Sequence, residues 1–268
     1  MSPGATQRAD PGFPGCSLCD NSRMAINIVI LAAGQGKRMH SDLPKVLHPL
    51  AGRPLLAHVI ATARMLKPAR ICVVYGHGGE RVPDAVRAAE LAFVKQQPQL
   101  GTGHALKQAL PQLDSRLDTL VLYGDVPLIT TQTLAALTAG RGERLKILTA
   151  ELDDPHGYGR IVRNAGRAIT AIVEEKDATA QQRRIREINT GIMLLPGKRL
   201  AGWLAKLSNR NAQREYYLTE VVTLALKDRV TVESCAPRDG REILGVNSHG
   251  QLAQIERIYQ SRAAARLL

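Results

Sequence analysis

The chain has 268 residues, 44% of them hydrophobic and 22% charged, which suits one large α/β domain or two small ones. No apolar run approaches the ~18 residues needed to cross a bilayer, and the N-terminus lacks the apolar core of a secretory signal, so a cytoplasmic enzyme is expected. A net charge of +12 brings nucleic acid into consideration, and aromatics at only 3% leave the core to Leu, Ile, Val and Ala.

"MSPGATQRADPGFPGCSLCDNSR" (1–23) is rich in Gly, Pro and Ser, has no hydrophobic period and reads as a disordered leader, with Met24 a candidate start. Cys16 and Cys19 form a C-x-x-C with no second ligand pair, and Cys72 and Cys235 lie in apolar runs, so neither zinc nor a disulfide is expected. "INIVILA" (26–32) is a continuous apolar run of the kind buried on both faces of a parallel sheet. It breaks into "LAAGQGKRMHSDLPK" (31–45), where Gly34, Gly36, Lys37, Arg38 and Lys45 look built to receive anionic oxygen. The dinucleotide fingerprint fails because Met39 stands where a third glycine is needed, and the P-loop pattern fails too. A tight turn with solvated cations stays open for this loop, but Pro44 stiffens the chain just before Lys45, which suits a placed ammonium.

Pro54 opens a helix with Leu56, Val59, Ile60 and Ala63 at the 3.6 period. "RICVVYG" (70–76), "AELAFVKQ" (89–96) and "DTLVLYGD" (118–125) follow as strands, with helices near 80–89 and 103–110. This β-α-β alternation implies right-handed crossovers and an open, mostly parallel sheet with helices on both faces. Ligands of such sheets bind beyond the carboxyl ends of the strands, so the loops after Leu31, Gln96 and Tyr123 share one rim. On that rim Gly101, Thr102 and Gly103 precede a helix that Thr102 is suited to cap, and Asp125 ends a buried strand, a common place for a metal ligand.

After about residue 143 the pattern changes. "LKILTAEL", "GRIVRN", "AITAIVEE" and "NTGIMLLP" suggest further strands, some antiparallel, around a short helix. "LTEVVTLALKD" is an amphipathic helix, and "VTVESCA" and "EILGVN" read as short strands. Ser248 caps a final helix to Leu268, with Leu252, Ile255 and Tyr259 on one face. Residues 24–247 thus form one domain and 248–268 a linker helix. Residues 181–215 carry eight Lys or Arg against Glu187 and Glu215, half of the net charge, yet no aromatics interleave with Arg183, Arg184 and Arg186. A solvated basic face is the better reading than nucleic-acid binding. His104 and His156 have no ligand partners at useful spacing and read as structural.

Taken in order, "LAAGQGKRM…LPKVLHPLAGRPLL", "QLGTGHA", "YGDVPL", "DDPHGYGRIV", "VEEKDA", "EINTGI", "NAQREYYLTE" and "GVN" resemble one family. It is the uridylyltransferase (pyrophosphorylase) half of bacterial bifunctional N-acetylglucosamine-1-phosphate uridylyltransferase/glucosamine-1-phosphate acetyltransferase. The resemblance covers residues 26–268 and implies a Rossmann-like nucleotidyltransferase fold. It implies that Leu31, Ala32, Ala33 and Gly34, with Gln96, Gly101 and Thr102, hold the uridine of UTP. Arg38 and Lys45 would face the triphosphate. Tyr123, Gly124, Gly159, Glu174, Asn189 and Tyr217 would line the N-acetylglucosamine pocket, and Asp125 and Asn247 would touch substrate and ligate Mg²⁺. The family continues into a β-helix that carries the acetyltransferase and the trimer contacts. This chain stops at Leu268, so neither acetyl transfer nor trimerisation is expected of it. The residues alone leave open another sugar 1-phosphate, or a non-catalytic nucleotide-binding subunit on the same fold.

Overall fold

The computed structural model describes residues 25–34, 36–140 and 143–265. The leader over 1–23 with its two cysteines, the side chain of Lys37 and residues 266–268, to which the final helix was expected to run, lie outside the described residues.

β1 (Asn27–Ala32) is buried throughout. A 3-10 turn at Lys45–Leu47 leads into a hairpin, β2 (Pro49–Leu50) and β3 (Arg53–Pro54), and then α1 (Leu55–Met65) with Pro54 at its N-cap. The alternation continues through β4 (Arg70–Tyr75), α2 (Arg81–Val86), β5 (Leu91–Lys95), α3 (Thr102–Ala109), β6 (Thr119–Tyr123) and α4 (Thr131–Thr138). The second half holds β7 (Arg144–Glu151), β8 (Gly159–Arg163), β9 (Ile169–Val173), α5 (Ala180–Arg183) and β10 (Glu187–Leu195). It ends with α6 (Gly197–Lys206), α7 (Glu220–Lys227), β11 (Thr231–Cys235) and α8 (His249–Ala264).

One mixed sheet runs β11-β7-β10-β6-β1-β4-β5, with β8 and β9 branching from β10. β6, β1, β4 and β5 are parallel, as are β11 and β7, while β10 is antiparallel to β6, β7 and β8. Because strand side chains alternate, β1 sends Ile28, Ile30 and Ala32 to one face and Val29 and Leu31 to the other. The first face packs Leu56, Val59 and Ile60 of α1 and Leu134 and Leu137 of α4. The second packs Leu106 of α3, Trp203 of α6 and Val221 and Val222 of α7. A third, smaller cluster seats α8 through Ile255 on Met39, Leu50, Leu55, Leu128 and Val246. Ser248 caps α8 by accepting from Gln251 N (3.3 Å).

Three expectations change. The helix near 80–89 stops at Val86, because Arg87 turns to extended backbone. "EILGVN" is not a strand: Gly240–Ile243 forms a 3-10 turn, and Val246 N donates to Asp125 O (2.9 Å) instead of to a strand neighbour. Glu242 is buried there and accepts from Thr130 N (3.1 Å) and Thr130 Oγ1 (2.8 Å), which ties the turn to the start of α4. Thr102 does not cap α3 either. Gly101 holds the cap position, and the Thr102 hydroxyl accepts from Leu218 N (3.1 Å).

Candidate active site

The carboxyl ends of β1, β5 and β6 open on a cavity of about 600 Å³. Its wall includes Leu31, Ala32, Ala33 and Gly34 from the end of β1, Gln96, Gly101 and Thr102 from the β5–α3 connection, and Tyr123 and Asp125 from the end of β6. Lys45 and Asn247 complete its charged end.

Lys45 donates through Nζ to Asp125 Oδ2 and to Asn247 Oδ1 (3.0 Å). Its position is set locally. Gly36 has φ +61°, and a Cβ there would lie 2.7 Å from Lys45 Cβ, so only glycine lets the loop close over the lysine. Asp125 O is held by Val246 N, and Asn247 N donates to Gln251 Oε1 (2.7 Å) at the start of α8. Two oxygen acceptors thus converge on one cation, with the Lys45 and Asp125 side chains each only 13% exposed. That donor set fits a hard divalent ion. Among the described residues no group of three or more His, Cys, Asp or Glu could cage a metal. An ion at this pair would therefore draw its other oxygens from phosphates and water, the manner of Mg²⁺.

A second cavity of about 250 Å³ adjoins the first and shares Thr102, Tyr123 and Glu215 with it. Gly159, Glu174, Asn189 and Tyr217 line it. Asn189 arrives there through an irregularity in β10, where the register with β7 shifts between Asn189 and Met193. Asn189 Oδ1 accepts from Gly191 N (3.0 Å), and a Cβ on Gly191 (φ +83°) would lie 2.5 Å from the Tyr123 ring. The glycine therefore admits Tyr123 to the boundary between the cavities. Glu174 accepts from Thr219 Oγ1 (2.9 Å), yet burial, with Asp177 and Glu215 adding to it, raises its pKa. Tyr217 has a buried hydroxyl without a hydrogen-bond partner of normal geometry. Burial, and then Asp177, push that hydroxyl's pKa up.

Two expected residues stand apart. Arg38 is exposed and is not among the residues lining either cavity, because buried Met39 beside it anchors a 3-10 turn at Lys37–Met39 under α8 and turns Arg38 outward. Its charge still reaches Tyr158. Gly124 forms the backing of the floor, against Ala32, Val46 and Leu56. Gln99, Glu215, Thr190, Gln213 and Thr219 also line the cavities without a role assigned to them from the sequence. Each lies inside a segment that carries the resemblance, Gln99 in "QLGTGHA", Thr190 in "EINTGI" and Gln213, Glu215 and Thr219 in "NAQREYYLTE", which is the signal that could have found it.

The mixed sheet and its rim site belong to the nucleotidyltransferase class of fold, as likeness to solved structures shows. A nucleotidyl transferase from Methanothermobacter thermautotroptrophicus superposes with a TM-score of 0.64 at 17% identity, over 89% of this chain and 99% of its own. A Bacillus anthracis protein described as a glucose-1-phosphate thymidylyltransferase gives 0.67 at 17% identity, over 87% and 95%. The MobA-like NTP transferase domain matches residues 28–217, and the chain belongs to that family. It is 59% identical over 244 residues to the bifunctional protein GlmU of Herminiimonas arsenicoxydans, covering 91% of this chain and 54% of that protein. With the protein of the same name from Janthinobacterium sp. (strain Marseille) the identity is 60%, with the same coverage. The chain spans about half the length of the curated relatives it matches. Among the described residues no helix is long and apolar enough to cross a membrane.

Proposed function

We propose that this chain transfers a uridylyl group from UTP to N-acetyl-α-D-glucosamine 1-phosphate, giving UDP-N-acetylglucosamine and pyrophosphate, as a cytoplasmic step in cell-envelope precursor synthesis. The observation that carries the reading is the pair of adjoining cavities, the larger ending in the Lys45, Asp125 and Asn247 cluster and the smaller lined by hydroxyls, two amides and carboxyls. The likeness to the GlmU proteins across nearly the whole chain supports the choice of substrates.

In this reading the nucleophile is a phosphate oxygen of the sugar phosphate, attacking the α-phosphate of UTP in line as pyrophosphate leaves. A phosphomonoester has its second pKa near ~6, so the attacking group is already mostly dianionic at neutral pH and needs no general base. The demand is electrostatic and positional. The larger cavity holds the nucleotide, and Tyr123 and Thr102 stand at the junction across which the two phosphates meet. Glu174, Asn189 and Tyr217 orient the sugar. Asp125 and Asn247 would hold Mg²⁺, which would supply charge neutralisation at the reacting phosphates. The Lys45 ammonium, freed from the two oxygens, stabilises the departing pyrophosphate.

The test is pyrophosphate release by the purified chain with Mg²⁺, crossing UTP, CTP, GTP and dTTP against N-acetylglucosamine 1-phosphate, glucosamine 1-phosphate and glucose 1-phosphate. Release confined to UTP with N-acetylglucosamine 1-phosphate is expected. Faster release with another pair would replace the substrates, and none from a folded chain that binds UTP would overturn catalysis.

A further inference from the structure

Gln96 is buried at the edge of the larger cavity, and its amide nitrogen is committed inside the protein. Nε2 donates to Gly101 O (2.9 Å) and to His104 Nδ1 (3.1 Å). A backbone carbonyl only accepts, so the first contact fixes which end of the carboxamide is nitrogen. The second contact requires a bare Nδ1 on His104, hence a neutral ring protonated at Nε2. That Nε2 lies 3.1 Å from Gln108 Nε2, and two N–H groups cannot bond to each other, so the Gln108 carboxamide is turned over to present its oxygen to the ring N–H. The ring is half-buried in the first turn of α3, with the Tyr216 ring 6.4 Å away. Burial, and then Lys107, hold its pKa below the usual value and favour the neutral form. With both amide hydrogens taken, the oxygen is what Gln96 has left to offer the cavity.

Pyrimidines differ at this point of contact. Uracil N3 carries a hydrogen, whereas cytosine N3 carries a lone pair. We propose that His104 is a positioning residue for base selectivity: by accepting from Gln96 it holds the carboxamide with its oxygen toward the base, so that an imide N–H is admitted and a ring acceptor is refused. The proposal rests on the nucleotide reading of the larger cavity. Without an acceptor at position 104, turning the carboxamide over forfeits one internal hydrogen bond instead of two, and the refusal of cytosine weakens.

The experiment titrates the wild-type chain, His104→Leu and His104→Asn with UTP and with CTP by calorimetry in Mg²⁺, after thermal melts show that all three fold. The wild type is expected to favour UTP. His104→Leu should lose roughly tenfold of that preference, the scale of one hydrogen bond. His104→Asn, whose Oδ1 offers an acceptor near the place of Nδ1, should keep the preference. An unchanged ratio in His104→Leu, an equal loss of both nucleotides, or the same loss in His104→Asn would each overturn the proposal. A wild type that binds neither nucleotide would overturn the cavity's assignment as well, and that failure is visible without the variants.

Discussion

Lys45 holds its charge between Asp125 and Asn247, both of them acceptors, and the same two oxygens suit a divalent ion. On the proposed reading, removing either charge removes something the transferring phosphates need more than the resting nucleotide does. Lys45→Ala and Asp125→Asn should each lower turnover by about 10²–10³-fold while changing UTP affinity far less, the pattern for groups that meet developing charge. Steady-state pyrophosphate release beside equilibrium UTP binding checks this, and an unaltered rate in either variant removes that residue from the chemistry. Glu174 gives a prediction of another kind. Burial raises its pKa, so the folded chain holds this proton to higher pH than the unfolded chain does. The stability it contributes is fully present below the unfolded pKa and is lost as pH rises through the folded one. Glu174→Gln cannot ionise but can still accept from Thr219. Denaturant titrations should find it and the wild type closest in stability at about pH 4, and the variant gaining on the wild type toward about pH 8. A difference that does not vary with pH would mean that Glu174 titrates alike folded and unfolded.

At the scale of elements, the strands of the parallel half could be read because each is an apolar run with helical periods between, and β1, β4, β5 and β6 lie close to where the pattern puts them. What could not be read depends on long-range partners. "EILGVN" has strand-like composition, but Asp125 and Thr130 claim its polar groups from 112 to 121 residues away. α6 places Leu200, Trp203 and Leu204 in the core, but the basic residues around them make its sequence read as a solvated stretch. The loop ahead of β8 is likewise held from a distance. Glu175 pairs with buried Arg160 (2.7 Å) and accepts from Gly157 N (3.3 Å), and Arg160 also donates to Tyr158 O, so one carboxylate fixes the segment that brings Tyr158 and Gly159 to the smaller cavity. Glu175→Ala leaves the Arg160 charge buried without its carboxylate, at a cost of about 3 kcal/mol. It should raise KM for the sugar phosphate more than KM for UTP. Denaturation and two-substrate kinetics check both parts, and equal rises in the two KM values would place the effect on the whole site instead of on this loop.

For the whole molecule, much of the candidate site could be read before the fold because a parallel sheet gathers the carboxyl ends of its strands on one rim, which brings Gly34, Gln96 and Asp125 together from loops far apart in sequence. The smaller cavity could be read only through resemblance, since Asn189 and Tyr217 reach it by a register shift and by a loop packed on α3. Charge acts at this scale too. The excess of +12 sits on a chain whose proposed substrates are both polyanions. Carboxylates already pair with Arg183, Arg186 and Arg199 of the basic stretch, which lessens its call on a nucleic acid. Arg210 and Arg214 remain exposed on the segment leading to Gln213 and Glu215 at the smaller cavity. Long-range attraction acts on encounter and is screened over about 10 Å at 0.1 M salt, whereas contacts between partly buried groups inside the site are screened much less. Raising KCl from about 0.02 to about 0.3 M should therefore lower kcat/KM for the sugar phosphate several-fold and leave kcat nearly constant. Serine at positions 210 and 214 together should flatten that salt dependence without lowering kcat. A fall in kcat parallel to that in kcat/KM would show that salt acts on the reacting phosphates, and an unchanged slope in the double variant would remove this segment from the steering field.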